Sequence, residues 1–257
     1  MEKRKLGRTG HFSTVAIFGG AAFWDITQSV ADTVMEQVIA AGVNHIDVAP
    51  QYGVAEERLG PWLKRERERF FLGCKTMERA ADDAWREMRT SLKKLQVEQF
   101  DLYQIHAITS QEDLDAVFAK GGVIETMIKA KEEGLTCYLG ITGHGMQTPR
   151  LFLQAIERFD FDTVMFPLNY ALMGQDAYRE DALALIEECN KKDIGRMIIK
   201  SVAKGPWNEK PKTHTTWYEP FNTPAYIQEA VNFVLSQDVT GLCKAGDVTV
   251  IPMILQA

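Results

Sequence analysis

The stretch "NHIDVAPQY" ends an apolar run on Asp47 and then offers a phenol at Tyr52. Two further apolar runs end on ionisable residues, "FFLGCK" on Lys75 and "DLYQIH" on His106. Taken singly, a strand-end Asp is a helix cap, a Lys is a solvated charge and a His is a satisfied loop residue. Taken together, the four types make a proton-delivery set. A free phenol, with a pKa of about 10, exchanges protons poorly at neutral pH. An ammonium ~4 Å away supplies about 4 kcal/mol at an effective dielectric near 20, a ceiling of about three pKa units in the phenol's favour. Asp47 would keep Lys75 charged, and a neutral His106 would position a carbonyl oxygen as a donor. Such a set delivers a proton to a developing alkoxide, which is half of a carbonyl reduction. No side chain supplies the hydride of the other half, so a nicotinamide cofactor is implied.

These residues meet only if their strands lie side by side with their C-terminal ends on one face. Strand candidates are Thr14 to Phe18, Asn44 to Asp47, Phe70 to Lys75, Asp101 to His106, Thr136 to Ile141, Thr163 to Phe166, Arg196 to Lys200 and Val239 to Lys244. Amphipathic helical patterns alternate with them, among them "SVADTVMEQVIAAG", "ADDAWREMRTSLKKL" and "TPAYIQEAVNFVLSQ". Ser29, Asp82 and Thr148 stand where N-caps belong, and Gly42 and Gly134 where C-caps belong. Strict alternation implies an α/β fold with a parallel sheet, and about eight units imply a closed (β/α)8 TIM barrel. The 257 residues suit one such barrel domain spanning the chain, whose C-terminal strand ends face the active site. The head, "KRKLGRTG", is expected to form a hairpin at the barrel floor. The tail, "GDVTVIPMILQA", is either a strand ended by Pro252 or an incomplete helix capped by Asp247, and the helix is preferred.

Composition narrows the function classes. A net charge of −6 argues against a nucleic-acid or anionic-membrane surface, so a small-molecule carbonyl is the expected partner, with no indication of oligomeric state. Cys74, Cys137, Cys189 and Cys243 lie far apart, and there is no H-E-x-x-H, so no metal is expected and a reducing, cytoplasmic location fits. "MEKRK" before "TVAIFGGAAF" has the look of a secretory leader, but polar "LGRTGHFS" separates the two, and a first strand with a Gly-rich end is the simpler reading. Nothing approaches the ~20 apolar residues of a membrane span. His45, two residues before Asp47, should share its inward face. Trp24, Trp207, Trp217 and Tyr218 either wall a substrate pocket or, for the last three, cover the long segment "GPWNEKPKTHTTWYEPFNTP".

The chain resembles the aldo-keto reductases from end to end, in "KLGRTG", "HIDVAPQYGVAEERLG", "FFLGCK", "DLYQIH" and "YLGITGHG". The resemblance implies a catalytic tetrad of Asp47, Tyr52, Lys75 and His106, with Tyr52 as proton donor. It also implies NAD(P)H bound extended across the C-terminal rim, in keeping with the lack of a G-x-G-x-x-G between a strand and a helix. Cofactor contacts implied in this way are Gly20, Ala21, Asp47, Thr142, Gly143, His144, Asn169, Lys200, Ser201, Gly246 and Asp247. Several depart from the family pattern. Thr142, Gly143 and His144 replace a Ser-Asn pair, and Met165 stands where a glutamine is usual, although Asn169 keeps its place. The tail lacks the Lys/Arg-rich segment that holds a 2′-phosphate, and Asp247 suits a ribose diol better. The choice between NAD and NADP therefore stays open, with NADP favoured by resemblance alone. Two other readings remain: a barrel lyase using Lys75 as a Schiff-base amine, and a nicotinamide-binding regulatory or sensor module with little turnover.

Overall fold

The computed structural model describes residues 1–243 and 246–257. At its start, β1 (Lys3–Lys5) pairs antiparallel with β2 (Phe12–Thr14), Lys3 opposite Thr14. Seven parallel strands follow: β3 (Ala16–Gly19), β4 (His45–Asp47), β5 (Phe71–Thr76), β6 (Phe100–Ile108), β7 (Thr136–Gly143), β8 (Thr163–Pro167) and β9 (Gly195–Ile199). A second hairpin, β10 (Ala203–Gly205) with β11 (Glu219–Pro220), interrupts them. Then β12 (Gly241–Cys243) pairs with β3 and β9 and closes the barrel in the order β12-β3-β4-β5-β6-β7-β8-β9. The sequence-based expectation of a closed (β/α)8 barrel is met.

The helices are α1 (Gln28–Ala40), α2 (Ala55–Glu66), α3 (Ala81–Leu95), α4 (Gln111–Val117), α5 (Val123–Glu132), α6 (Thr148–Arg158), α7 (Tyr170–Met173), α8 (Asp176–Lys191), α9 (Pro224–Leu235) and α10 (Ile251–Gln256). Gly42 (φ 77°) and Gly134 (φ 71°) follow α1 and α5 in the left-handed conformation, as their positions suggest. The N-caps differ from expectation: they are Thr27, Ala80 and Gln147 rather than Ser29, Asp82 and Thr148. Thr27 wins because its hydroxyl accepts from the Val30 amide at 3.4 Å, while Asp82 and Asp83 sit inside the first turn of α3, where acids complement the helix dipole. The tail is helical, but Pro252 opens α10 in its first turn, and Asp247 instead accepts from the Thr249 amide in the preceding turn. The first barrel strand starts at Ala16 because Thr14 belongs to the hairpin. In the last strand, the expected end at Lys244 lies outside the described residues.

Alternation along the strands builds two layers. Ile17, Phe71, Leu102, Met165 and Met197 point into the barrel, while Phe18, Leu72, Tyr103, Val164 and Ile198 pack outward beneath the helices. The same parity carries His45 and Asp47, Gly73 and Lys75, and Gln104 and His106 inward, with the later member of each pair nearer the C-terminal end. Leu6, fully buried from the hairpin side, plugs the floor below the inner apolar layer. Gly7 makes this approach achievable. Its φ is +51°, and a Cβ there would lie 2.2 Å from the Gly195 nitrogen. Among the described residues, no helix is long and apolar enough to cross a membrane.

Two stability predictions follow from the floor. Leu6→Ala should leave a cavity at the plug and cost about 2–5 kcal/mol in urea or guanidinium unfolding, and a neutral result would deny the plug its role. His45, fully buried with its Nδ1 2.9 Å from Ser13 Oγ, is held well below its ordinary 6.5 by burial and then by the charges of His11 and Lys75. Stability should therefore be complete above 6.5 and fall as the pH drops, since the unfolded chain takes up a proton that the buried ring refuses. His45→Gln should make the urea midpoint shallower in its decline between about pH 7 and about pH 5, whereas an unchanged slope would contradict this.

Candidate active site

The inward residues at the C-terminal ends of β4, β5 and β6 form one buried cluster. Lys75 and Asp47 are each 1% exposed, and Lys75 Nζ donates to Asp47 Oδ2, to the Val48 carbonyl at 3.4 Å and to Tyr52 Oη at 3.3 Å. Asp47 Oδ1 accepts from Gln104 Nε2 at 2.8 Å, and Cys243 Sγ lies 3.8 Å from Oδ2. Gly140 provides the room for Gln104: a Cβ there would stand 2.4 Å from Thr163 Oγ1 and 3.0 Å from Gln104 Cγ. Burial alone would strip the lysine of its proton, but Asp47, with Tyr52 and Cys243, outweighs it and drives the ammonium's pKa upward. The charge is locked on.

Tyr52 behaves differently from the sequence-based expectation. Burial raises the phenol, Lys75 lowers it, Asp47 and Cys243 raise it, and the outcome is a pKa pushed up to about 12 rather than brought down. Because Lys75 donates to the phenol oxygen, the hydroxyl proton is left to point away from it. The Tyr52 ring stands edge-on to His106, with centroids 5.8 Å apart at 89°. His106 is held well below its ordinary pKa by burial, then by Lys75, His144 and Arg79, so it is neutral at pH 7. Its carbonyl accepts from Arg79 Nη2 at 2.8 Å, and the next residue, Ala107, takes a left-handed φ of 61° and donates its amide to Thr142 Oγ1 at 3.2 Å.

Two adjoining cavities open onto this cluster. The larger, about 430 Å³, is lined by Trp24, Gln51, Tyr52, Met77, His106, His144, Lys200 and Trp217. The smaller, about 70 Å³, is lined by Asp47, Tyr52, Lys200, Cys243, Trp217 and Tyr218, together with Ala21 and Gly246. Trp24 and Trp217 meet edge to face at 5.8 Å and wall the larger cavity. Trp207 instead is buried in its own loop, donating to the Thr216 carbonyl at 2.8 Å.

The residues implied as cofactor contacts fall into two groups. His144 and Lys200 line both cavities, and His144 is drawn down to about 4 by burial and then by Lys200 and Lys75. His144 Nδ1 and Ser201 Oγ are buried polar atoms without a hydrogen-bond partner. Such orphans at the strand-end rim fit a polar ligand, and a nucleotide's carboxamide and phosphates offer that chemistry. Other side chains are already engaged. Asn169 caps α7 by accepting from the Leu172 amide at 2.9 Å and donates to the Lys200 carbonyl at 3.1 Å. Asp247 accepts from the Thr215 amide at 2.8 Å and the Thr249 hydroxyl at 2.6 Å, pinning the long segment after β10. Gly20 packs on Val48, and Gly143 packs on the Ile108 carbonyl. Sequence reasoning missed Gln104, Gln51 and Glu87. Gln104 was within reach, since it lies two residues before His106 on the same face of β6. Among the described residues, no group of three or more His, Cys, Asp and Glu is placed to hold a metal ion.

The profile of the Aldo/keto reductase family matches residues 15–252. The chain is 27% identical over 225 residues to the uncharacterized oxidoreductase YqkF of Bacillus subtilis, covering 82% of this chain and 68% of that one. It is 30% identical over 251 residues to human aldo-keto reductase family 1 member C3, covering 89% and 72%. The fold superposes on that of a solved aldo-keto reductase from Pseudomonas aeruginosa with a TM-score of 0.76, at 23% identity over 99% of this chain and 95% of the other. The chain belongs to the aldo/keto reductase family and is an oxidoreductase.

Proposed function

We propose that the protein reduces an aldehyde or ketone to an alcohol with NAD(P)H, with Tyr52 giving the proton. The observation that carries this reading is the buried ammonium of Lys75, held between Asp47 and the Tyr52 oxygen at the mouth of the 430 Å³ cavity. A phenol pushed up to about 12 keeps its proton at neutral pH and releases it to a base stronger than a phenolate, which a developing alkoxide is. Lys75, by donating to the phenol oxygen, stabilises the phenolate as it forms, and Asp47 keeps Lys75 charged throughout. His106 faces the same cavity as a neutral ring and, in the tautomer protonated on Nε2, orients the substrate oxygen.

The nicotinamide, when bound, supplies the hydride. His144 and Ser201 would hold its polar groups, with Lys200 beside them and with Gly20, Ala21, Thr142, Gly143 and Gly246 as backbone or rim contacts. Asp247, tied to Thr215 and Thr249, is a weaker candidate for the ribose. NADPH is the proposed donor on family resemblance. Trp24, Met77 and Trp217 make the substrate wall largely apolar, which favours aromatic or alkyl carbonyls over hydrophilic ones. A Schiff-base lyase would need a neutral, reachable amine, whereas Lys75 is 1% exposed and locked in its charged form by Asp47.

Tyr52→Phe should lower kcat for a panel of aromatic aldehydes by roughly 10²- to 10⁴-fold with little change in KM, and a variant that turns over at the wild-type rate would end the assignment. Titration with NADPH or NADH should quench the tryptophan fluorescence, because Trp217 borders the smaller cavity. If neither nucleotide changes the emission, the nicotinamide reading fails.

A further inference from the structure

The amide of Gln51 joins two groups that lie apart. Its Nε2 donates to Glu87 Oε1 at 2.7 Å, and its Oε1 lies 3.5 Å from His106 Nδ1. An ionised carboxylate can only accept, so a charged Glu87 requires the Gln51 NH₂ to face it and the Gln51 carbonyl to face the imidazole. That carbonyl also only accepts, so the single proton of neutral His106 must sit on Nδ1. Nε2, the ring nitrogen with no hydrogen bond among the described residues, is then a bare acceptor. A carbonyl substrate meets it lone pair to lone pair, while an alcohol O–H can donate to it.

Protonation of Glu87 inverts the arrangement. The carboxylic acid donates to the Gln51 oxygen, the amide turns its NH₂ toward His106 Nδ1, and the ring proton moves to Nε2, where it can bond a carbonyl oxygen. The proton on Glu87 comes from solvent and stays there. The imidazole gives one proton to water and takes one back, so its charge does not change.

We propose that Glu87, acting through Gln51, is a positioning residue that decides which nitrogen of His106 carries the proton, and thereby whether the site presents a donor to a carbonyl or an acceptor to an alcohol. The inference rests on the reading that His106 faces the substrate oxygen. The surroundings of Glu87 suit a switch. It is only partly exposed on α3, and its Oε2 is a buried atom without a hydrogen-bond partner, the position an added proton would take. Burial and the neighbouring charge of Glu78 raise its carboxyl above the ordinary 4.5, against the Thr76 hydroxyl, Gln51 and the Met77 backbone. Tyr103 on β6 and Glu56 on α2 are the other titratable groups that feel it.

The test is long-range ¹H–¹⁵N NMR of [¹⁵N]histidine-labelled protein, with the His106 signals assigned by His106→Phe. At about pH 8 the wild type should show the Nδ1–H form in excess of the Nε2–H form. Glu87→Gln, nearly isosteric and able either to donate or to accept, should bring the two tautomers close to parity, and Gln51→Leu should do the same without touching Glu87. A wild-type Nε2–H form at this pH, or a ratio unmoved by both variants, would overturn the proposal. Kinetics separate it from the reading beneath it. Glu87→Gln should lower KM for the carbonyl several-fold relative to the product-inhibition constant of the alcohol at about pH 8. A protein with no Tyr52-dependent turnover but a shifted tautomer would end the reductase reading and leave the relay standing.

Discussion

The ion pair between Lys75 and Asp47, sealed inside the upper end of the barrel, is the constraint on which the other features depend. Two charges removed from water cost several kcal/mol each unless their remaining donors and acceptors are matched. The barrel meets that demand on every side. Gln104 serves the second carboxylate oxygen, the Val48 carbonyl and Tyr52 oxygen take the other ammonium protons, and Cys243 closes the flank. Below lies the apolar layer of Ile17, Phe71, Leu102, Met165 and Met197 on the Leu6 plug, which keeps water from reaching the pair from the floor.

This arrangement separates charge from proton. Lys75 is the one group of the four held firmly cationic, while Tyr52, His106 and the nearby His144 are all kept neutral by burial acting with their neighbours. A phenol pushed up to about 12 is a loaded donor rather than a leaky one. In the proposed reaction it yields only when a stronger base appears beside it, which ties proton transfer to the bond change at the substrate carbon. In the proposed relay, the Nδ1 side of His106, turned to Gln51, adds a second level of control that charge alone does not supply.

Much of this was legible in the chain before any coordinates. The alternation of short apolar runs with amphipathic helices led to the barrel, and Asp47, Lys75 and His106 at successive strand ends led to one cluster with Tyr52. Period-2 parity did the rest, because residues two apart on a strand must share a face. What escaped depended on helix orientation or on competition among partners. Glu87 looks like any acid on an amphipathic helix, and only the packing of α3 brings it to Gln51. Asp247 read as a helix cap and ribose contact, yet Thr215, more than thirty residues earlier, captures its carboxylate. The pKa of Tyr52 went the opposite way from the sequence argument, which counted the lysine's charge and not the depth of burial. Ser29, Asp82 and Thr148 were reasonable caps by type, but the helices start a residue or more earlier than the first apolar period suggests.

A double-mutant cycle on carbonyl reduction with Lys75→Met, Asp47→Asn and their combination probes the ion pair most directly, with the stability of each variant measured alongside. If Asp47 acts by holding Lys75 charged against Tyr52, the double variant will be no slower than Lys75→Met alone and will be more stable than it, since the lone buried carboxylate is gone. Losses that simply add, or a Lys75→Met protein that reduces aldehydes at the wild-type rate, would contradict the central role of the pair.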